Sequence, residues 1–152
     1  MASHAAEATL ADTTGIAPAP LPNDHPSGWS WSADPLPTRD GVIVVLRLGG
    51  EIDMLNQPEL QTALTDTLTG RPRHLVVDVA AVTFCWVQGL ALLAETAAIA
   101  TGNGTGYALS GLPASLRRYV DLLWGDAFPT TYRTTAIAVS AIRAGDAAGY
   151  AD

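Results

Sequence analysis

Apolar positions along this chain change period several times. Leu60, Leu64 and Leu68 recur every four residues, which predicts a helix with one apolar stripe ending near Gly70. The runs at residues 42–48 and 74–79 are apolar and rich in valine except for Arg47, His74 and Asp78, and are instead typical of buried strands. Segments that alternate between these two patterns indicate an α/β fold.

The predicted elements begin with a β-hairpin. Trp29 and Trp31 alternate with serines, which favours a half-buried first strand, and a turn-rich passage over residues 34–41 makes a loose connection to the second strand. Asn56 and Glu59 have the spacing of a capping box at the start of the first helix. The later elements are predicted as a strand over 74–79, a helix over 89–101, a glycine-rich connector over 102–106, a strand over 107–110, a helix beginning at Pro113, a short strand over 127–132 and a helix over 135–143.

Composition divides the chain into one domain with two tails. Residues 1–28 are rich in Ala, Pro and Thr and are predicted to form a disordered tail. Residues 29–144 carry the periodic pattern and form one domain, and residues 145–152 are predicted to form a flexible C-terminal tail.

Charge and cysteine content exclude several functions. Residues 41–145 hold eight acidic residues against seven arginines, so the domain lacks the basic surface of a nucleic-acid-binding protein. The single cysteine fits a reducing, cytoplasmic compartment, and no apolar run is long enough to cross a membrane. The three histidines have no metal-ligand spacing, and no nucleophile–base pair can be assembled, so we expect no metal, no cofactor and no enzyme activity.

The most informative segment joins the strand at 74–79 to the next helix. It reads Phe84-Cys85-Trp86-Val87-Gln88-Gly89-Leu90, and junctions of this kind are where α/β domains often place functional residues. Together with Gly50-Glu51-Ile52-Asp53 and Ser110-Gly111-Leu112-Pro113, it resembles the STAS domain family of bacterial anti-sigma factor antagonists. The resemblance covers residues 29–144 and implies a mixed sheet of four to five strands with about four helices.

The same resemblance implies a degenerate regulatory site. In the family this segment reads apolar-Asp-Ser-Ser-Gly-Leu, and a partner kinase phosphorylates the first serine. Val87 stands at that serine position and Gln88 at the second, so neither can accept phosphate. Phosphorylation would add about −1.5 to −2 charge there, and we expect this off-switch to be missing.

The predicted function is that of an anti-sigma factor antagonist. Its partner would be an anti-sigma factor with an ATPase-like or kinase-like fold, bound through Asp53 and the segment Phe84, Cys85, Trp86, Val87, Gln88, Gly89 and Leu90. The alternative is a degenerate domain of the same family that senses a small ligand or acts as a scaffold.

Several of these residues have two interpretations. Asp53 either contacts the partner or forms an Asx turn, and Trp86 is either an interface anchor or packed against the domain. Cys85 fits a packed apolar residue better than a redox sensor. Asp78, within the predicted strand, is expected to bond the backbone of the loop.

Three hydroxyl residues could replace the missing serine. Thr83, Ser110 and Ser115 belong to the same general region and could be modified, although local backbone bonding is the ordinary use of such residues.

Overall fold

The computed structural model describes residues 28–151, with side chains described through residue 145. Five strands lie in the order β1-β2-β3-β4-β5: β1 (Trp29–Thr38), β2 (Gly41–Ile52), β3 (His74–Cys85), β4 (Gly106–Ser110) and β5 (Thr131–Tyr132). The first pair is antiparallel and every other pair is parallel. The four helices among these residues, α1 (Gln57–Thr69), α2 (Val87–Gly102), α3 (Ala114–Leu123) and α4 (Thr135–Ala151), follow β2 to β5 in turn. This confirms the α/β class, the N-terminal hairpin and the mixed sheet.

The hairpin is tighter than the sequence suggested. Residues 34–38 continue β1 instead of forming a loose turn, and Pro35 and Pro37 pair with Val44 and Val42. Proline lacks a backbone N–H and is tolerated here because β1 is an edge strand. Pro35 and Pro37 are two residues apart, so the positions of their missing N–H groups lie on the same side of the strand. The connection is a short turn in which the Thr38 hydroxyl donates to the carbonyl of Gly41 (2.8 Å).

Apolar side chains are buried on both faces of the sheet. The larger core lies under α1, α2 and α3 and includes Leu46, Leu64 and Leu93, all almost fully buried. The smaller core joins β1–β3 to α4. Alternation along β2 explains the division, because Ile43 and Val45 face the smaller core while Leu46 and Leu48 belong to the larger one.

A charged pair is buried beside the smaller core. Arg47 follows Ile43 and Val45 at every second position of β2, and its guanidinium lies 3.6 Å from the carboxylate of Asp34 on β1. Arg47 is 5% exposed and Asp34 is 1% exposed. Moving both charges out of water is costly, so removing one partner should destabilise the fold more than breaking an exposed ion pair would.

Several predicted boundaries were wrong. β3 extends through Cys85 and not only to residue 79, because β2 continues to pair with it across two register shifts. The last strand is shortened to Thr131–Tyr132, and a 3-10 turn takes up Gly125–Ala127. Helix α4 continues beyond residue 143 to Ala151.

The predicted tails are only partly covered. Residues 1–27 lie outside the described residues, and so do the side chains after residue 145, so the domain boundaries remain a prediction. Within the described part of the chain, no helix has the length and apolar character needed to cross a membrane.

Candidate functional site

Two segments meet at the carboxyl ends of β2 and β3. In the parallel register Glu51 pairs with Phe84 and Ile52 pairs with Cys85. The backbone N–H of Trp86 then donates to the carbonyl of Ile52 (3.0 Å). This places residues 53–56, which connect β2 to α1, directly beside the segment over residues 84–90.

The segment over 84–90 is a sharp junction and contains almost no loop. Phe84 and Cys85 end β3, and Val87 begins α2, so Trp86 alone lies between the strand and the helix. The sequence left residues 80–88 as a connection between strand and helix, which is wrong because pairing with β2 keeps the backbone extended to Cys85. Val87 occupies the first helical position and is 47% exposed, and Gln88 is exposed beside it.

Asp53 and Asn56 close the neighbouring loop by bonding each other's backbone. Oδ1 of Asp53 accepts from the N–H groups of Leu55 (2.9 Å) and Asn56 (3.2 Å), while Oδ1 of Asn56 accepts from the N–H of Asp53 (2.9 Å). Nδ2 of Asn56 also donates to the carbonyl of Glu51 (2.6 Å). Asp53 therefore forms the Asx-type turn that was one of its two interpretations.

The predicted capping box is absent. Asn56 precedes α1, but its side chain makes no capping hydrogen bond to the helix because it bonds the loop instead. Glu59 accepts a hydrogen bond from the indole of Trp31 (3.1 Å). The spacing was correct for a capping box, but the preceding loop bonds the Asn56 side chain and β1 bonds that of Glu59.

The loop closed by Asp53 presents two apolar side chains to solvent. Met54 is 67% exposed and Leu55 is 79% exposed. Neither residue was predicted from the sequence to belong to the site. The available indication was the pair of large apolar side chains between the polar residues Asp53 and Asn56, in a loop. Exposed apolar groups at the end of a sheet are a feature of interaction sites.

Trp86 links the two segments. Its indole N–H donates to Oε1 of Gln57 in the first turn of α1, and its ring is half-buried. The tryptophan is thus packed on one side, as one of its interpretations held, while it also lines a groove between the junction and α3. A half-buried ring held by a hydrogen bond is a rigid group for contact with another molecule.

Gly89 and Cys85 form the packed base of the junction. A Cβ on Gly89 would lie 2.8 Å from Sγ of Cys85 and 2.9 Å from Cγ2 of Ile52, so only glycine fits without displacement. Leu90, one residue later, is 2% exposed and belongs to the larger core. Cys85, Gly89 and Leu90 are therefore buried and support the surface from beneath, whereas Phe84, Val87 and Gln88 are exposed and Trp86 is half-buried.

The thiol of Cys85 is chemically quiet. Burial raises its pKa to about 12 from a model-compound value of 9.0, so the reactive thiolate is scarce at neutral pH. This supports the packed interpretation over the redox sensor. In the described part of the chain, no group of three or more His, Cys, Asp or Glu residues could hold a metal ion.

A groove separates the junction from α3. It has a volume of about 460 Å³ and is lined by Thr83, Phe84, Cys85, Trp86, Val87, Leu90, Ser115, Leu116 and Tyr119. None of these lining residues carries a charge, and three are aromatic. Phe84 is 51% exposed and Tyr119 is 58% exposed across the groove from it. We call this feature the aromatic groove.

Tyr119 was not predicted from the sequence. Leu116 and Val120 form the buried stripe of α3, whereas Tyr119 and Leu122 lie on its exposed side, three positions apart. A second apolar stripe on an otherwise solvated helix was the available signal. Folding brings it to the junction because α3 follows the carboxyl end of β4, next to β3.

The three candidate hydroxyl residues differ in solvent exposure. Ser110 is fully buried and its hydroxyl is 2.7 Å from that of Thr135, so a kinase has no access to it in the folded domain. Thr83 and Ser115 are exposed and line the aromatic groove. Asp78 accepts from the N–H of Ala80 (2.9 Å), which is a backbone bond as expected, although Ala80 lies within β3 and not in a loop.

Asp78 also anchors α4. Its second carboxylate oxygen accepts from the hydroxyl of Thr135 (2.8 Å) at the start of that helix. A carboxylate that is already bonded on both oxygens has a structural role here.

Comparison with known proteins identifies related molecules. The family model described as "Mlab, STAS domain" matches residues 37–124. A relative from Mycobacterium tuberculosis, named anti-sigma-F factor antagonist RsfB, is 29% identical over 103 residues, which are 68% of this chain and 84% of the relative.

Solved structures of anti-sigma factor antagonists also resemble this chain. An anti-sigma factor antagonist from Mycobacterium paratuberculosis is 31% identical with a TM-score of 0.65, and the alignment covers 78% of this chain and 97% of that one. The anti-sigma factor antagonist SpoIIAA in its unphosphorylated form has a TM-score of 0.62 over 76% of this chain and 97% of its own. At 15% identity, that likeness concerns the fold alone.

Proposed function

Because the chain belongs to the STAS domain family, we propose that it is an anti-sigma factor antagonist. It binds an anti-sigma factor and thereby frees a sigma factor for transcription. The names of its relatives favour this function over the alternative of a ligand-sensing or scaffolding domain. The supporting observation is the exposed, largely apolar surface at the carboxyl ends of β2 and β3, with its groove lined by uncharged residues.

The proposed docking surface consists of residues from both segments and from α3. Trp86, Val87 and Gln88 supply its centre, Asp53 with Met54 and Leu55 one side, and Phe84 with Tyr119 the other. A rigid aromatic anchor surrounded by apolar contacts is typical of residues that dominate binding energy. The surface acts by association, and we propose no catalytic step and no cofactor for it.

Regulation through the central position differs from the family pattern. A phosphoserine at the first position of α2 would place negative charge in the middle of the surface, where an apolar partner must exclude water. Val87 keeps that position neutral. We therefore propose that binding is not switched off by phosphorylation at residue 87, even if the partner has an ATPase-like or kinase-like fold.

The proposed site of action follows from the partner. Sigma factors are subunits of RNA polymerase, so we propose that the complex forms in the cytoplasm. The single, buried cysteine is compatible with that reducing compartment.

The test uses the full chain as bait in cells of the source organism. We expect capture of an anti-sigma factor, identified by mass spectrometry, and loss of capture with Val87→Glu. The matched control is Ile99→Glu, because Ile99 lies on the same helix near its other end and is 58% exposed. Equal capture by wild type and Val87→Glu, or capture of no anti-sigma factor, would refute the proposal.

A second experiment separates docking from phosphorylation. Once the partner is purified, wild type and Val87→Ser are incubated with it and labelled ATP. A kinase-like partner should label Val87→Ser at residue 87 and leave wild type unlabelled. Labelling of wild type at Thr83 or Ser115 would instead show that another hydroxyl has replaced the serine.

A further inference from the structure

The N-terminal segment enters the domain at the edge of the proposed docking surface. Strand β1 runs antiparallel to β2, so its first residues lie at the carboxyl end of β2. The N–H of Glu51 donates to the carbonyl of Gly28 (3.0 Å), and Glu51 pairs with Phe84 on β3. Gly28, Glu51 and Phe84 therefore lie in a row across three neighbouring strands.

That position puts the aromatic groove within easy reach of the preceding residues. Two strand spacings separate Gly28 from Phe84, a distance of about 10 Å. A polyproline-type chain advances about 3.1 Å per residue, so the seven residues from Leu21 to Gly28 can span about 22 Å. Residues 16–22 can consequently arrive at the groove without any change in the domain.

The sequence of residues 16–22 matches the chemistry of the groove. It reads Ile-Ala-Pro-Ala-Pro-Leu-Pro and carries no charge. Uncharged, proline-rich segments bind aromatic-lined grooves because proline has already lost much of its conformational freedom. Phe84, Trp86 and Tyr119 supply the aromatic rings, and no lining residue is charged.

We propose that residues 16–22 bind the aromatic groove of the same molecule and compete there with the anti-sigma factor. The regulatory consequence rests on the proposed function, whereas the docking itself does not. A molecule whose groove is occupied about 90% of the time would bind its partner about tenfold more weakly. Self-occupancy would thus supply a graded control where Val87 has removed phosphorylation.

The docking is tested without any partner, on the full ¹⁵N-labelled chain. Leu21→Asp places a charge in the proline-rich segment, and Leu10→Asp makes the same substitution outside it. We expect the amide signals of Val87 and Tyr119 and the indole signal of Trp86 to move in Leu21→Asp and to stay in place in Leu10→Asp. In a Tyr119→Ala background, Leu21→Asp should no longer move the remaining two signals.

Other outcomes overturn the proposal. Identical spectra for wild type and Leu21→Asp would show that the groove is not occupied by this segment. Shifts that grow with protein concentration would assign the groove to the tail of a second copy. If docking is confirmed, Leu21→Asp should bind the purified anti-sigma factor up to about tenfold more tightly than wild type. If Leu21→Asp and wild type then bind the anti-sigma factor with equal affinity, the segment docks in the groove but does not compete with the partner.

Discussion

Replacing Gly89 by alanine adds one methyl group at the point where the strand–helix junction is most closely packed. The new Cβ would lie 2.8 Å from Sγ of Cys85 and 2.9 Å from Cγ2 of Ile52, whereas ordinary contact begins at 3.4 Å. Both neighbours would have to retreat by at least half an ångström, and both belong to the larger core. Overpacking of this kind costs about 1–3 kcal/mol.

Helix propensity partly offsets this loss of stability. Alanine is more favourable than glycine within a helix by about 0.5–1 kcal/mol, and Gly89 lies in the first turn of α2. The net expectation for Gly89→Ala is a loss of about 0–2.5 kcal/mol, centred near 1 kcal/mol. Gly102 ends the same helix, and a Cβ added there would have no atom within 4 Å, so Gly102→Ala is the matched control and should be neutral or stabilising.

Urea unfolding followed by circular dichroism measures the difference. The midpoint should fall for Gly89→Ala and hold or rise for Gly102→Ala, with the same dependence on urea in both. Adding Cys85→Ala removes the nearer of the two clashing atoms, so the double variant should be more stable than the sum of the single effects predicts. If Gly89→Ala is as stable as Gly102→Ala, the junction is not packed as described.

Three further predictions concern the buried polar groups. Arg47→Met should lower the free energy of unfolding by about 3–5 kcal/mol because it leaves Asp34 charged and buried, and Arg47→Met with Asp34→Leu should recover much of it in the same urea assay. Asn56→Ala should cost about 2 kcal/mol or more, since it removes bonds to two backbone groups of the loop; an unchanged midpoint would contradict that role. Cys85 has a folded-state pKa of about 12, above its model-compound value of 9.0, so stability should be full below pH 9 and decline as pH rises towards 12. At about pH 8 the native thiol should react with iodoacetamide far more slowly than in urea, and equal rates would disprove its burial.

The sequence predicted much of the fold because the relevant information is local. Leu60, Leu64 and Leu68 mark the buried stripe of α1 by spacing alone, and the structure buries all three. Where sequence failed, a tertiary partner intervened. Residues 34–38 form part of β1 because β2 pairs with them. Strand β3 extends beyond the apolar residues that predicted it because β2 also pairs with it as far as Cys85.

Some features of the candidate site could also be predicted from the sequence, whereas others depend on the tertiary structure. The absence of a phosphate-accepting hydroxyl at Val87 is a property of one residue and needs no structure. The approach of Tyr119 to Phe84, the exposure of Met54 and the burial of Ser110 depend on residues far apart in the chain. Sheet order and register decide which of these meet, and those are set by packing of the whole domain, which no short stretch of sequence encodes.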